Sequence, residues 1–248
     1  MLISIRSQRF IVWWGIVFAV IFGLAFVFLF NMVPPPSPKL SAAQVAHWYA
    51  VRHTKIRLGA VIAGWTSAFM LPLFVVIGAQ MARQEQGQKP WTILTVSGGV
   101  LMSIFLVLPP LFWGVAAFTP ARDVQITATM HELGMLTLVT TDQFFIFAWV
   151  AVAVICFLPT SVANSPFPRW FGYLTAWIAF MFEAGAIAFF PRTGPFAWNG
   201  LLVFWSPLTL FGLWIAVMCY LLLGALRRQR DELTAAAATE APEMALAV

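Results

Sequence analysis

Six apolar runs constrain this chain more than any other feature: 10–33, 58–81, 91–118, 135–158, 170–191 and 200–226. A helix needs about 20 predominantly apolar residues to cross the hydrocarbon of a bilayer, and each run reaches that length. Only 9% of the residues are charged and 61% are hydrophobic, against about 25% charged in soluble domains. Such a chain cannot clothe a soluble globule. The fold expected is all-α: a polytopic transmembrane helix bundle of six spans, with short interfacial helices in the loops. Residues 1–233 form a single domain in this reading. The Ala-rich stretch 234–248 lacks core-forming side chains and is expected to be a disordered cytoplasmic tail.

Arg6 and Arg9 precede the first run as they would in a signal peptide. The run is longer than a signal core of about 7–15 residues, and no small-residue cleavage pattern follows, so it reads as a retained span. The side holding both termini carries Arg6, Arg9, Arg83, Lys89, Arg169, Arg227, Arg228 and Arg230; the other carries Lys39, Arg52, Lys55, Arg57, Arg122 and Arg192. This bias favours cytoplasmic termini in a bacterial cell membrane. The net charge of +5 is explained by these flanks and points to no nucleic acid. Cys156 and Cys219 lie in apolar runs and read as buried thiols.

The first loop on the far side from the termini reads PPPSPKLSAAQVAHWYAVRHTKIR. Ser41 and Gln44 have the spacing of a capping box, which predicts a helix starting there. His47 and His53 are six positions apart, too far for a chelating pair on one helix face. In the next loop, Thr119 before Pro120 predicts a helix start, and Gly134 a bend ahead of the fourth span. Metal binding through His47, His53, His131 and Glu132 is the alternative to surface histidines. Pro72, Pro109, Pro110 and Pro207 are expected to kink their spans.

Two carboxylates fall inside spans, Asp142 and Glu183. Each lies eight residues from the same side of the bilayer, about 12 Å deep by helical rise. Thr66, Ser67, Thr137, Thr140, Thr141, Gln143 and Ser206 fall near that level. Charged groups in lipid face the bundle interior and mark functional sites. Two acids sharing a cavity would not both ionise, and such a pair can exchange a proton near neutral pH. Asp142 and Glu183 are therefore the candidate acid and base. The segment FPRTGPFAWNGLLVFWSP is expected to place Arg192 and Asn199 at the mouth of the cavity, and Arg192, Trp198, Asn199, Ser206 and Thr141 are the candidate substrate-binding residues.

The stretches RTGPFAWNGLLVFWSP, FPRWFGYLTAW and LPPLFWGVAAFTPARD resemble a group of small polytopic membrane proteins frequent in actinobacteria. The resemblance implies an intact six-span bacterial protein and transfers no catalytic residue. The function expected is binding of a lipophilic small molecule in an outward-facing cavity with buried carboxylates. An enzyme of isomerase, cyclase or hydratase type would use them for acid/base chemistry. The alternatives are a proton-linked carrier, or an accessory subunit with membrane partners.

Overall fold

The computed structural model describes residues 3–119, 121–159 and 162–246; the side chains of Asp142 and of 239–246 lie outside the described set. Every described regular element is helical: α1 (Ile5–Leu24), α2 (Ala42–Ala50), α3 (His53–Thr66), α4 (Met70–Gln84), α5 (Pro90–Phe118), α6 (Val124–Thr140), α7 (Ile146–Phe157), α8 (Arg169–Phe182) and α9 (Ser206–Leu246). Four short non-α segments adjoin them. Ala25–Leu29 and Leu201–Trp205 are π-helical; Asp142–Phe144 and Glu183–Phe189 are 3-10. Among the described residues, five helical stretches are long and apolar enough to cross a membrane: Ile5–Leu29, His53–Gln84, Pro90–Phe118, Arg169–Phe189 and Leu201–Ala238. The chain is thus a multi-pass membrane protein. The run 135–158 is carried instead by the end of α6, a break at 141–145, and α7, an apolar helix of 12 residues.

α5 is the centre of the bundle and packs against α3, α4, α6 and α7. α8 lies on α7 and α9, and α1 lies on α4 and α9. Large aromatic residues fill the interior, with Trp113, Trp149, Trp214, Phe74, Phe145 and Phe171 fully buried.

The prolines act less as kinks than as helix starts. The second run is two helices, and Pro72 sits in the first turn of α4, where its missing N–H costs nothing. Pro207 likewise follows Ser206 at the start of α9, directly after a π turn. Pro109 and Pro110 stay inside the continuous α5. The capping box at Ser41 forms: the Gln44 amide donates to Ser41 Oγ at 3.3 Å, and the Ser41 amide to Gln44 Oε1 at 2.8 Å. That helix ends at Ala50, so His53 belongs to the next one.

The expected helix start at Thr119 and Pro120 involves Pro120, outside the described residues. α6 is capped by Asp123, whose Oδ1 accepts from the Gln125 and Ile126 amides. No bend occurs at Gly134, which lies within α6. Glycine is needed there for another reason: a Cβ would sit 2.2 Å from Trp113 Nε1. The tail was expected to be disordered, yet the backbone of α9 stays helical to Leu246. Its Ala, Glu, Met and Leu favour helix; residues 231–238 are exposed, and Glu232 accepts a hydrogen bond from the Asn164 side-chain amide of the α7–α8 loop.

A buried polar knot fixes the end of the bundle that carries the termini. Gln80 Nε2 donates to Gln8 Oε1 at 2.7 Å, and Gln229 Nε2 donates to Gln80 Oε1 at 3.0 Å. Arg83 Nη1 donates to the same Gln80 oxygen at 2.8 Å, and Gln229 Nε2 reaches the Asn164 carbonyl at 3.0 Å. This knot ties α1, α4, α9 and the α7–α8 loop together. Beside it, Glu85 caps α5, accepting from the Trp91 and Thr92 amides at 2.9 and 2.8 Å.

Candidate functional site

Above the knot, α1 and α9 part. A stripe of α1 and the π turn after it, formed by Trp13, Ile16, Val20, Gly23 and Val27, faces Leu208, Gly212, Ile215, Cys219 and Leu223 of α9. These positions recur every three or four residues, so each stripe is one helix face. Between them lies a slit of about 660 Å³. Its back wall is aromatic: Phe22, Phe26, Phe69, Phe105, Phe182, Phe204 and Phe211. From residue 13 to residue 27 the slit runs about 21 Å by helical rise, most of the roughly 30 Å hydrocarbon layer. Trp13, Val20 and Leu208 are exposed on its rim, so it opens sideways toward lipid.

The deep end of the slit is lined by two of the four non-α segments and by residues that lead into the other two. Phe26 and Val27 belong to the first π turn, Val203 and Phe204 to the second. Phe182 is the residue before the 3-10 segment at Glu183, and Leu138 and Val139 precede the break at 141. The rings of Phe26 and Phe204 stack at 6.5 Å. The segment Glu183–Phe189 packs against both Asp142–Phe144 and Leu201–Trp205. Irregular helix thus forms one layer, and such geometry inside membrane helices is tolerated where it is buried in protein or lines a cavity.

Asp142 and Glu183 stand on these two touching segments. The side chain of Asp142 lies outside the described residues. Glu183 is exposed, at the C-terminus of α8, and is not among the described residues lining the slit. The cavity that exists is apolar, and the expected polar belt does not face it. Thr66, Thr140 and Thr141 turn their hydroxyls onto their own helices, donating to the carbonyls of Ile62, Leu136 and Thr137 at 2.8, 2.7 and 2.7 Å. A threonine in lipid meets its donor need most cheaply on the carbonyl four residues back. Ser206 is half-buried at the start of α9, and Thr141 half-buried at the break.

The loop 190–200 divides its expected residues. Arg192 is exposed and Asn199 half-buried. Trp198 is buried, and its Nε1 donates to the Pro36 carbonyl at 2.8 Å, stapling this loop to the first one. The Trp198 ring meets His131 edge to face at 5.9 Å. His131 is the buried histidine: Tyr49 Oη lies 3.0 Å from its Nδ1, and Trp48 closes a third side at 6.2 Å. Its Nε2 is buried without a partner among the described residues. His47 and Glu132 are exposed, and the Nδ1 of His53 lies 2.8 Å from the Ala50 carbonyl. No three His, Cys, Asp or Glu side chains among the described residues come together as a metal site.

Burial pushes the His131 imidazole down to about 4 from its usual 6.5, because a charged ring would lose its hydration. An unfolded chain takes up the proton near 6.5, so between that pH and 4 the unfolded state binds more protons. The stability contributed by neutral His131 is therefore complete above 6.5 and lost as pH falls through the window. Thermal unfolding of wild type and His131→Gln, followed from pH 7.5 to 4, is expected to show a steeper loss for wild type. Parallel curves would remove His131 from the acid response.

The sequence reading missed the slit because its walls are ordinary apolar residues. The available signal was Gly23 and Gly212, helical glycines at which an added Cβ meets nothing within 4 Å. No protein-family model, no curated protein and no solved structure matches this chain.

Proposed function

We propose that this protein takes a single lipophilic chain from the bilayer into the slit between α1 and α9. The observation that carries the reading is the shape and lining of that slit: about 660 Å³, side-opening, and walled by aromatic and aliphatic groups. Pockets for small apolar ligands have this size and lining. A long acyl or polyprenyl chain fits a space about 21 Å long better than a compact solute does.

The bundle has six crossings in this reading, the fourth broken between α6 and α7. Its termini lie in the cytoplasm of a bacterial cell, as the excess of Lys and Arg on their side favours. The slit then opens across most of the bilayer, and its deep end lies in the outer half.

Acid/base chemistry is the second reading. It is favoured by the contact between the two 3-10 segments that carry Asp142 and Glu183, next to the deep end of the slit. The slit ends at Val139 and Phe182, three residues before Asp142 and one before Glu183, so the reactive end of a bound chain would lie beside both turns.

The test is mass spectrometry of lipid extracted from the protein purified in mild detergent. Wild type is expected to retain a lipophilic molecule in near-stoichiometric amount. Gly212→Trp and Gly23→Trp point a large ring into open space and are expected to reduce retention at least tenfold while leaving the melting temperature close to wild type. Retention unchanged in both variants would sink the reading. Asp142→Asn and Glu183→Gln are expected to keep the bound molecule; for the enzymatic reading they must also accumulate it unconverted.

A further inference from the structure

A second groove, sharing no lining residue with the slit, lies between α3 and α5. Arg57, Ala60, Val61 and Gly64 of α3 face Val107, Leu111, Gly114 and Phe118 of α5 across a space of about 740 Å³. Both rows are single helix faces: positions i, i+3, i+4 and i+7 on α3, and steps of four, three and four residues on α5. The floor is set where the helices approach most closely: a Cβ on Gly114 would lie 2.8 Å from the Ala60 Cβ. The walls are open outward, with Leu58, Val61, Leu111 and Phe118 all more than half exposed. From Val107 to Phe118 the groove runs about 16 Å.

Its composition is polarised along that length. The deep part is aliphatic, and two guanidinium groups stand at the mouth, from Arg57 and Arg122. Arg57 Cζ lies 5.4 Å over the Phe118 ring, and Arg122 Nη2 reaches Thr119 Oγ1 at 3.5 Å, so both are held at the C-terminal end of α5. Neither forms an ion pair with a described carboxylate. The mouth is on the face of the bundle away from the termini, where Lys39, Arg52, Lys55 and Arg192 add positive charge. Guanidinium groups bind phosphate oxygens through paired, charge-assisted hydrogen bonds. Basic pockets between transmembrane helices bind anionic headgroups in the same way.

We propose that this groove is a binding site for an anionic phospholipid, its phosphate held by Arg57 and Arg122 and one acyl chain lying along Val61, Gly64, Val107 and Leu111. The site is independent of the α1–α9 slit. The helix pair α3 and α5 supplies both parts of the recognition. The apolar groove holds the chain, and the two cations select the headgroup from zwitterionic lipid.

The experiment is native mass spectrometry of the full-length protein after exchange into micelles containing phosphatidylglycerol and phosphatidylcholine of identical chains. Wild type is expected to retain phosphatidylglycerol over phosphatidylcholine by about tenfold, the scale of one charged hydrogen-bond pair. The double variant Arg57→Gln and Arg122→Gln is expected to bring the ratio near one, and Arg57→Lys with Arg122→Lys to keep part of the preference. Gly64→Trp, which fills open space in the groove, is expected to lower retention of both lipids. Gly212→Trp is expected to leave the ratio unchanged, which separates this site from the slit. Excess free glycerol phosphate should fail to displace the lipid. Equal retention by wild type, a full preference in the double glutamine variant, or displacement by glycerol phosphate would each overturn the proposal.

Discussion

Gln80→Ala is expected to destabilise the protein by about 4 kcal/mol, from at least two buried groups left unpaired at about 1–3 kcal/mol each. Gln80 is the centre of the knot, giving to Gln8 and Gln229 and accepting from Gln229 and Arg83. Gln8, Gln80 and Gln229 are all buried. Removing the central amide strips the buried oxygens Gln8 Oε1 and Gln229 Oε1 of a donor, and half-buried Arg83 of one acceptor. The apparent melting temperature should fall by about 10 °C, on a scale of 2–4 °C per kcal/mol for a chain of this size. Gln80→Glu keeps the shape and an acceptor for Arg83 but loses the donor to Gln8, and should fall between. A change under about 2 °C for Gln80→Ala would mean that water replaces the amide, and that the knot does not hold α1 against α9.

Gly134→Val is expected to cost about 3 kcal/mol or more, at the upper end of the range for overpacking. The added Cβ would lie 2.2 Å from Trp113 Nε1 and 2.6 Å from its Cδ1. Such a contact is relieved only if the indole moves. Trp113 is fully buried, with Phe26 at 5.8 Å and Phe30 at 5.3 Å between ring centroids. It therefore cannot swing out without displacing the π turn at the head of the slit. Trp113→Phe in the same chain should restore part of the loss, because the smaller ring vacates the space. Thermal unfolding of the two single variants and the double variant gives the coupling. Additive losses would show that the clash is absorbed by α6 rather than by Trp113.

Gln80 and Gly134 differ in how far the sequence reveals their roles. Gln80 and Gln229 were visible as polar residues at the ends of apolar runs, but nothing in the one-dimensional pattern pairs residues 149 positions apart. Gly134 was visible as a helix breaker, and its local meaning was wrong. Glycine preference reports backbone freedom and close approach alike, and only the position of Trp113 selects between them.

The candidate site divides in the same way. Asp142 and Glu183 stood out because a carboxylate in an apolar run is costly and rare. Depth counting put them at one level, and their segments do meet. Counting could not give direction: Glu183 faces outward, and three threonines of the expected belt bond to their own helices. The slit was not legible, because Trp13, Phe211 and Leu223 look like any core or lipid-facing residue. His131 was read as one of three similar histidines, and burial against Tyr49, Trp48 and Trp198 sets it apart.

The amino-acid sequence by itself determined the solvent and the class of fold. A bilayer forbids unsatisfied backbone, so long apolar runs must become helices, and the capping residues at Ser41 follow from local hydrogen bonding alone. Tertiary structure decided where helices part and where they touch. Cavities depend on how far α1 and α9 splay between the glutamine knot and the Phe26–Phe204 stack. That distance is set by side chains far apart in the chain, and periodicity carries no record of it.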